Sequence, residues 1–224
     1  MTHIFLYGPS GTGKSTIGQL LAEKLRIPFI DLDRVIETNA GMPIPQIMKS
    51  QGETAFRDME TATLKESVGH AFSAINSQTK VIALGGGALL RDENRQVAEK
   101  NGKVILLTAG LDTLIARLEN DPNERPLLTG DLREKLSAML AWRGDHYASF
   151  AGQLPVDNQS AEQVAHQLQV QLGRHHLSSM GEYDVIVGQV SNLTNFHMQN
   201  PIIVTDSNVA KFHLTAVASA LQII

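Results

Sequence analysis

No cysteine occurs anywhere in the chain, which excludes disulfides, zinc–thiolate centres and thiol nucleophiles. No apolar run approaches the length that spans a bilayer, so no membrane partner is expected. Basic charge is not in excess: 19 Lys and Arg against 23 Asp and Glu leave a net charge of −4, which argues against a general nucleic-acid binder. Internal repeats and low-complexity segments are absent. The first strand-like run begins within a few residues of Met1, leaving no room for a signal peptide. These absences lead to the expectation of a soluble, cytoplasmic protein. With 224 residues and an apolar fraction of 42%, the chain can bury a real core and exceeds the usual size of one domain.

What is present is concentrated near the start. Gly8-Pro9-Ser10-Gly11-Thr12-Gly13-Lys14-Ser15-Thr16 follows the apolar run Ile4-Phe5-Leu6-Tyr7 and opens a segment with apolar residues at Ile17, Leu20, Leu21 and Leu25. Strand, glycine loop and helix in that order fit the G-x-x-x-x-G-K-[ST] phosphate loop in letters and in context. Glycines let backbone N–H groups curl around an anion, and the helix N-terminus adds partial positive charge. Lys14 would then reach the β- and γ-phosphates, and Ser15 would ligate Mg²⁺. A bland turn would need neither the Lys-Ser pair nor so many glycines.

Further along, Pro28-Phe29-Ile30 reads as a strand ending at Asp31-Leu32-Asp33, and Val35 to about Val68 reads as helical, broken early by Gly41, Pro43 and Pro45. Ile47, Met48, Phe56, Met59 and Leu64 could line its buried side. Val81 to Leu84 and Val104 to Leu107 are continuous apolar runs, the pattern of parallel strands covered on both faces. Helices are expected over Asp92–Lys100 and Asp112–Leu118, then from a cap at Asp131 with Glu134 to about Tyr147. A last strand at Leu154–Asp157 precedes a helix capped by Ser160 with Gln163. Such alternation implies a doubly wound α/β fold with a parallel sheet flanked by helices, whose ligands bind beyond the carboxyl ends of the strands. The composition changes near Gly173. Residues 1–173 are expected to form the main domain, 174–182 a linker, and 183–224 an incomplete C-terminal α/β segment.

A phosphate loop alone does not choose a chemistry. The N-K-x-D and D-x-x-G segments usual in nucleotide switches are absent. Asp33, just past the second strand, could take a proton from an attacking hydroxyl, while Asp31 would suit the water shell of Mg²⁺. Alone, such an aspartate would read as a surface-loop or helix-capping residue, but the D-x-D at a strand end opposite the phosphate loop favours function. Arg57, followed by Glu60, and Arg143 are planar forks suited to bidentate capture of a carboxylate, though each also fits a helix-face ion pair. Glu60 could hold Arg57 in place. Arg125-Pro126-Leu127-Leu128, with Arg117 shortly before, lies in a polar segment, Glu119 to Gly130, long enough to close over a nucleotide. A solvated surface loop remains the alternative there.

Taken together, these residues resemble the shikimate kinase family over roughly Met1 to Gly173. The phosphate loop, Phe29-Ile30-Asp31-Leu32-Asp33, Gly52-Glu53-x-x-Phe56-Arg57-x-x-Glu60, Gly85-Gly86-Gly87, Arg125-Pro126-Leu127-Leu128 and Arg143 followed by Tyr147 occur in the family's order. The resemblance implies a P-loop NTPase-like fold of the nucleoside monophosphate kinase kind and ATP- and Mg²⁺-dependent phosphorylation of the shikimate 3-hydroxyl, within aromatic amino-acid biosynthesis. It implies Asp33, Lys14 and Arg125 in catalysis, and Asp33, Arg57, Arg143 and the Gly85, Gly86 and Gly87 turn around shikimate. Gly11, Thr12, Gly13, Lys14, Ser15, Thr16, Arg117, Arg125 and Gln159 would contact ATP, with Ser15 and Asp31 serving Mg²⁺. A monomer is implied. Two other readings stand beside it: another small kinase, such as a gluconate kinase, and a nucleotide-binding module without catalysis. Beyond Gly173, Tyr183 to Gly188 and Ile202 to Ala210 resemble the opening of 3-dehydroquinate synthase, without the rest of that fold. No synthase activity is expected from it.

Overall fold

The computed structural model describes residues 3–69, 79–119, 131–177 and 183–186. The chain divides into two units, residues 1–169 and 170–224. The first unit is organised on β1 (His3–Tyr7), every residue of which is buried. A strand with neighbours on both edges and helices on both faces has no solvent side, so Ile4-Phe5-Leu6-Tyr7 shows no polar alternation.

Around it run β2 (Phe29–Asp31), β3 (Val81–Ala83), β4 (Gly102–Thr108) and β5 (Gln153–Pro155), all parallel, in the order β2-β3-β1-β4-β5. Leu6 stands opposite Ala83 on one side and Ile105 on the other. Parallel pairing sends every strand's carboxyl end to the same edge. The phosphate loop, Asp31 and the three glycines therefore leave the sheet side by side, as the expected doubly wound topology requires.

The helices are α1 (Lys14–Leu25), α2 (Leu32–Ala40), α3 (Ile44–Val68), α4 (Asp92–Asn101), α5 (Leu111–Glu119), α6 (Leu132–Ala148) and α7 (Ala161–Leu172). Their ends follow local chemistry. Asp31 caps α2 by accepting from the Arg34 amide, and Asp131 caps α6 by accepting from the Glu134 amide at 3.0 Å. At α7, Ser160 and Gln163 exchange reciprocal bonds, a capping box. The helical pattern read from Val35 to Val68 splits at Gly41 and Pro43 into α2 and α3, and α3 carries a kink at Gly52, where φ is 86°. Of the predicted apolar face, Ile47, Phe56 and Leu64 are buried, while Met48 and Met59 pack at its margin. Asp33, read as lying just past a strand, sits in the first turn of α2.

In the second unit, β6 (Arg174–Leu177) and β7 (Tyr183–Ile186) pair antiparallel, His175 opposite Val185. Residues 174–177, read as part of a linker, are thus a strand. A two-stranded ribbon is specified by its partner more than by its own pattern, and Arg-His-His-Leu has little pattern to read. Ile202–Val204 and the helical pattern after it lie outside the described residues. Among the described residues, no helix is long and apolar enough to cross a membrane.

Candidate active site

The loop after β1 has the shape its glycines permit. Gly8 adopts φ 133°, and a Cβ there would stand 2.2 Å from the Leu107 carbonyl oxygen, so backbone conformation and space both require glycine. Gly11 and Gly13 also take left-handed φ, and Gly13 delivers the chain into α1. Thr12 is buried and turns its hydroxyl onto the Pro9 carbonyl at 2.9 Å, bracing the loop from within. Lys14 Nζ donates to the carbonyls of Gly8 and Pro9 at 2.8 and 2.9 Å, which holds its charge over the loop. In the first turn of α1, Thr16 is exposed and Ser15 Oγ donates to Asp31 Oδ2 at 2.5 Å. The two residues assigned to Mg²⁺ therefore meet directly.

Gly85, Gly86 and Gly87 follow β3 and act as a ruler for the neighbouring charges. A Cβ on Gly85 would lie 2.8 Å from Glu60 Oε1 and 2.9 Å from Asp33 Oδ1. A Cβ on Gly86 would lie 3.7 Å from Arg143 Nη1, and one on Gly87 3.0 Å from Arg57 Nη2. Two carboxylates and two guanidiniums thus gather over three residues that present no side chain. Glycine at 85 is what lets Asp33 and Glu60 approach each other.

The two arginines differ sharply in company. Arg57 donates to Glu60 and Glu53, and its guanidinium lies over the Phe56 ring. Burial works against its charge, but the Glu60 and Glu53 carboxylates outweigh that and hold it above its ordinary value. Glu60 is 1% exposed, and burial pushes it up to about 6 against the pull of Arg57, with Asp33 adding to the rise. Its Oε1 accepts no hydrogen bond among the described residues. Arg143 is 6% exposed and donates from Nη1 to the Gly86 carbonyl at 2.9 Å, an oxygen that also accepts from Tyr147 Oη at 2.8 Å. Among the described residues no carboxylate pairs with Arg143, and its Nε has no partner. A buried cation without an anion is costly.

On the far side of the loop, Arg117 bonds the carbonyls of Gly11 and Val156 at 3.2 and 3.0 Å, joining α5 to the phosphate loop and the end of β5. Gln159 donates to the Pro155 carbonyl at the same strand end. Asp157 accepts from the Gly110 amide and the Thr113 hydroxyl, and these bonds hold its carboxyl below the usual range. Arg125 and the rest of the expected lid lie outside the described residues.

Glu60 takes a larger place than the sequence reading allowed it: beyond holding Arg57, it stands beside Asp33. In the sequence Tyr147 is marked only by its spacing from Arg143, and nothing marks Tyr7 and His146 as partners, since no pattern links residues 139 positions apart.

A parallel β2-β3-β1-β4-β5 sheet, a phosphate loop after its central strand and an acid–arginine cluster beside that loop define a small P-loop kinase. The shikimate kinase family matches residues 10–172, and the chain belongs to that family. It is 40% identical over 151 residues to a shikimate kinase from Pseudomonas savastanoi, covering 67% of this chain and 84% of that protein. It is also 40% identical over 164 residues to shikimate kinase 2 from an Enterobacter species, covering 72% and 90%. Among solved structures, a shikimate kinase from Acinetobacter baumannii in complex with shikimate matches with a TM-score of 0.69 at 34% identity, covering 77% of this chain and 93% of that one.

Proposed function

We propose that this protein transfers the γ-phosphoryl group of ATP to the 3-hydroxyl of shikimate. Membership of the family supplies the activity class. The observation that carries the acceptor is Arg143: a buried guanidinium with no carboxylate partner among the described residues, placed over Gly86 beside Arg57 over Gly87. Two planar donors fixed in that way match the oxygens of a carboxylate.

In this reading the acceptor's carboxylate lies between Arg57 and Arg143, and its ring rests on Gly85–Gly87. Asp33 takes the hydroxyl proton as that oxygen bonds to the γ-phosphorus and ADP departs. Lys14 and the loop amides from Gly11 to Thr16 hold the β- and γ-phosphates, and Arg117 and Gln159 border the nucleotide. Arg125 would reach it from the lid. Ser15, exposed, and Asp31, half-buried, are oxygen ligands in direct contact, a set that suits Mg²⁺, which prefers one or two protein oxygens alongside phosphates and water. Bound there, Mg²⁺ would neutralise charge on the phosphates. The absence of a basic excess supports a protein without nucleic-acid partners, and we extend the reading to a cytoplasmic monomer. The segment 183–224, by its resemblance to the opening of 3-dehydroquinate synthase, carries no synthase activity of its own.

A coupled assay of ADP release tests this. With MgATP, turnover is expected on shikimate and not on gluconate. Turnover on gluconate with none on shikimate would overturn the assignment, and MgATP binding without phosphorylation of either would favour a non-catalytic module.

A further inference from the structure

Tyr7 closes β1 and stands immediately before Gly8, so whatever holds it also holds the root of the phosphate loop. Its ring is fully buried, and a phenolic hydroxyl at that depth needs a partner. Among the described residues that partner is Nε2 of His146, at 3.1 Å. The rings meet edge to face at 5.8 Å, and Phe150 and Tyr147 complete an aromatic cluster around them.

His146 lies on α6, three residues after Arg143 and one before Tyr147, so Arg143 and His146 share a helix face. Among the described residues this stretch of α6 is tied to three strand ends. The Gly86 carbonyl after β3 accepts from both Arg143 and Tyr147, Gln153 of β5 donates to the Tyr147 and Ala148 carbonyls at 3.5 and 3.4 Å, and Tyr7 of β1 bonds His146. The Gln153 bonds are long and hold the last turn of α6, so the Tyr7–His146 bond is the tie to the central strand on the face that carries Arg143.

We propose that His146 is a positioning residue of the acceptor site, whose neutral ring accepts the Tyr7 hydroxyl and ties the helix carrying Arg143 to the strand entering the phosphate loop. The proposal rests on the acceptor reading given above. A protonated Nε2 would instead donate to the Tyr7 hydroxyl oxygen, so the direction of this bond reports the tautomer and charge of the ring. The groups that bear on the ring are Tyr7 from β1, Arg95 and Asp92 from α4, Arg143 and Tyr147 from α6, and Phe150 beyond it. Burial first, then the charges of Arg95 and Arg143, hold the imidazole below its ordinary range against Asp92. The ring is therefore neutral at neutral pH, and removing the tie should raise the acceptor's KM while kcat and the KM for ATP stay nearly constant.

Two measurements on the full chain test this. The ¹⁵N resonances of the His146 ring should report the Nδ1–H tautomer at pH 7.5, and Tyr7→Phe should raise the midpoint of its titration. An Nε2–H tautomer, or a midpoint unmoved by Tyr7→Phe, overturns the proposal without reference to any substrate. Steady-state kinetics at pH 7.5 should show the shikimate KM of His146→Leu about three- to tenfold above that of the unmodified protein with kcat retained, as the competent fraction of α6 orientations falls. His146→Gln keeps a neutral acceptor for the Tyr7 hydroxyl and should restore most of the lost affinity. An unchanged KM in His146→Leu, or a KM in His146→Gln as high as in His146→Leu, overturns the proposal. Melting curves show that each variant is folded, and His146→Gln decides the matter if Tyr7→Phe does not fold. Failure of the unmodified protein to phosphorylate shikimate at pH 7.5 would instead sink the functional assignment and leave the tautomer result standing.

Discussion

Trp142 and Arg143 are neighbours in sequence with opposite environments: the indole is 73% exposed, while the guanidinium 5.7 Å from its ring centre belongs to a buried side chain. The chain has a single tryptophan, so its emission reports on one place. A cation near an indole interacts with the face of the ring, and an anion arriving at Arg143 changes that field. Titration with shikimate should therefore shift or quench the fluorescence saturably, and Arg143→Ala should abolish the response. An emission unchanged at concentrations that saturate turnover would remove Arg143 from the acceptor site.

The two arginines should separate when stability and binding are measured together. Arg57→Ala is expected to weaken acceptor binding by on the order of 2–5 kcal/mol and to lower the melting temperature strongly, because it strands the buried Glu60. Arg143→Ala should weaken acceptor binding comparably with little loss of stability, since it removes a buried charge that no carboxylate among the described residues neutralises. Isothermal titration and thermal melts check both. Equal melting losses would contradict the difference in pairing.

For Asp33→Asn, turnover should fall by on the order of 10²–10⁴ while the KM for ATP is nearly unchanged, the range for losing a positioned base. Gly85→Ala should lower turnover and acceptor affinity together, because its Cβ would overlap the places held by both Asp33 and Glu60. Wild-type turnover in Asp33→Asn would exclude the base role.

Glu60 should make stability depend on pH in an unusual direction. Its ordinary value of 4.5 is raised to about 6 in the folded protein, chiefly by burial. Between those limits the folded state holds more protons than the unfolded one, so its contribution is full below the lower limit and is lost as pH rises through the upper. The loss amounts to about 2 kcal/mol. Melting temperatures across this window, compared with Glu60→Gln, check it: the mutant should lack this component.

Much of the fold was legible because its signals are local. Continuous apolar runs at Ile4–Tyr7, Val81–Leu84 and Val104–Leu107 gave the strands, and Asp131, Ser160 and Gln163 marked helix starts where their side chains cap. The kink at Gly52 and the strand at Arg174–Leu177 were not legible, since each depends on what packs or pairs against it. In the site, the phosphate loop could be read letter by letter. The adjacency of Asp33 and Glu60 could not, because it arises only when α2, α3 and the turn after β3 converge on Gly85.

By itself the sequence determined that a glycine loop of phosphate-loop form would lead from the first strand into a helix, because glycine spacing, Lys14 and the helix that follows are neighbours along the chain. It also determined that acids and arginines were available at other strand ends. Tertiary structure decided that Arg57 is paired with Glu53 and Glu60 while Arg143 has no carboxylate partner among the described residues, that Ser15 and Asp31 touch, and that Tyr7 meets His146. Those outcomes depend on distance and burial, and side chains far apart in sequence acquire both only when the sheet brings the strand ends to a common edge.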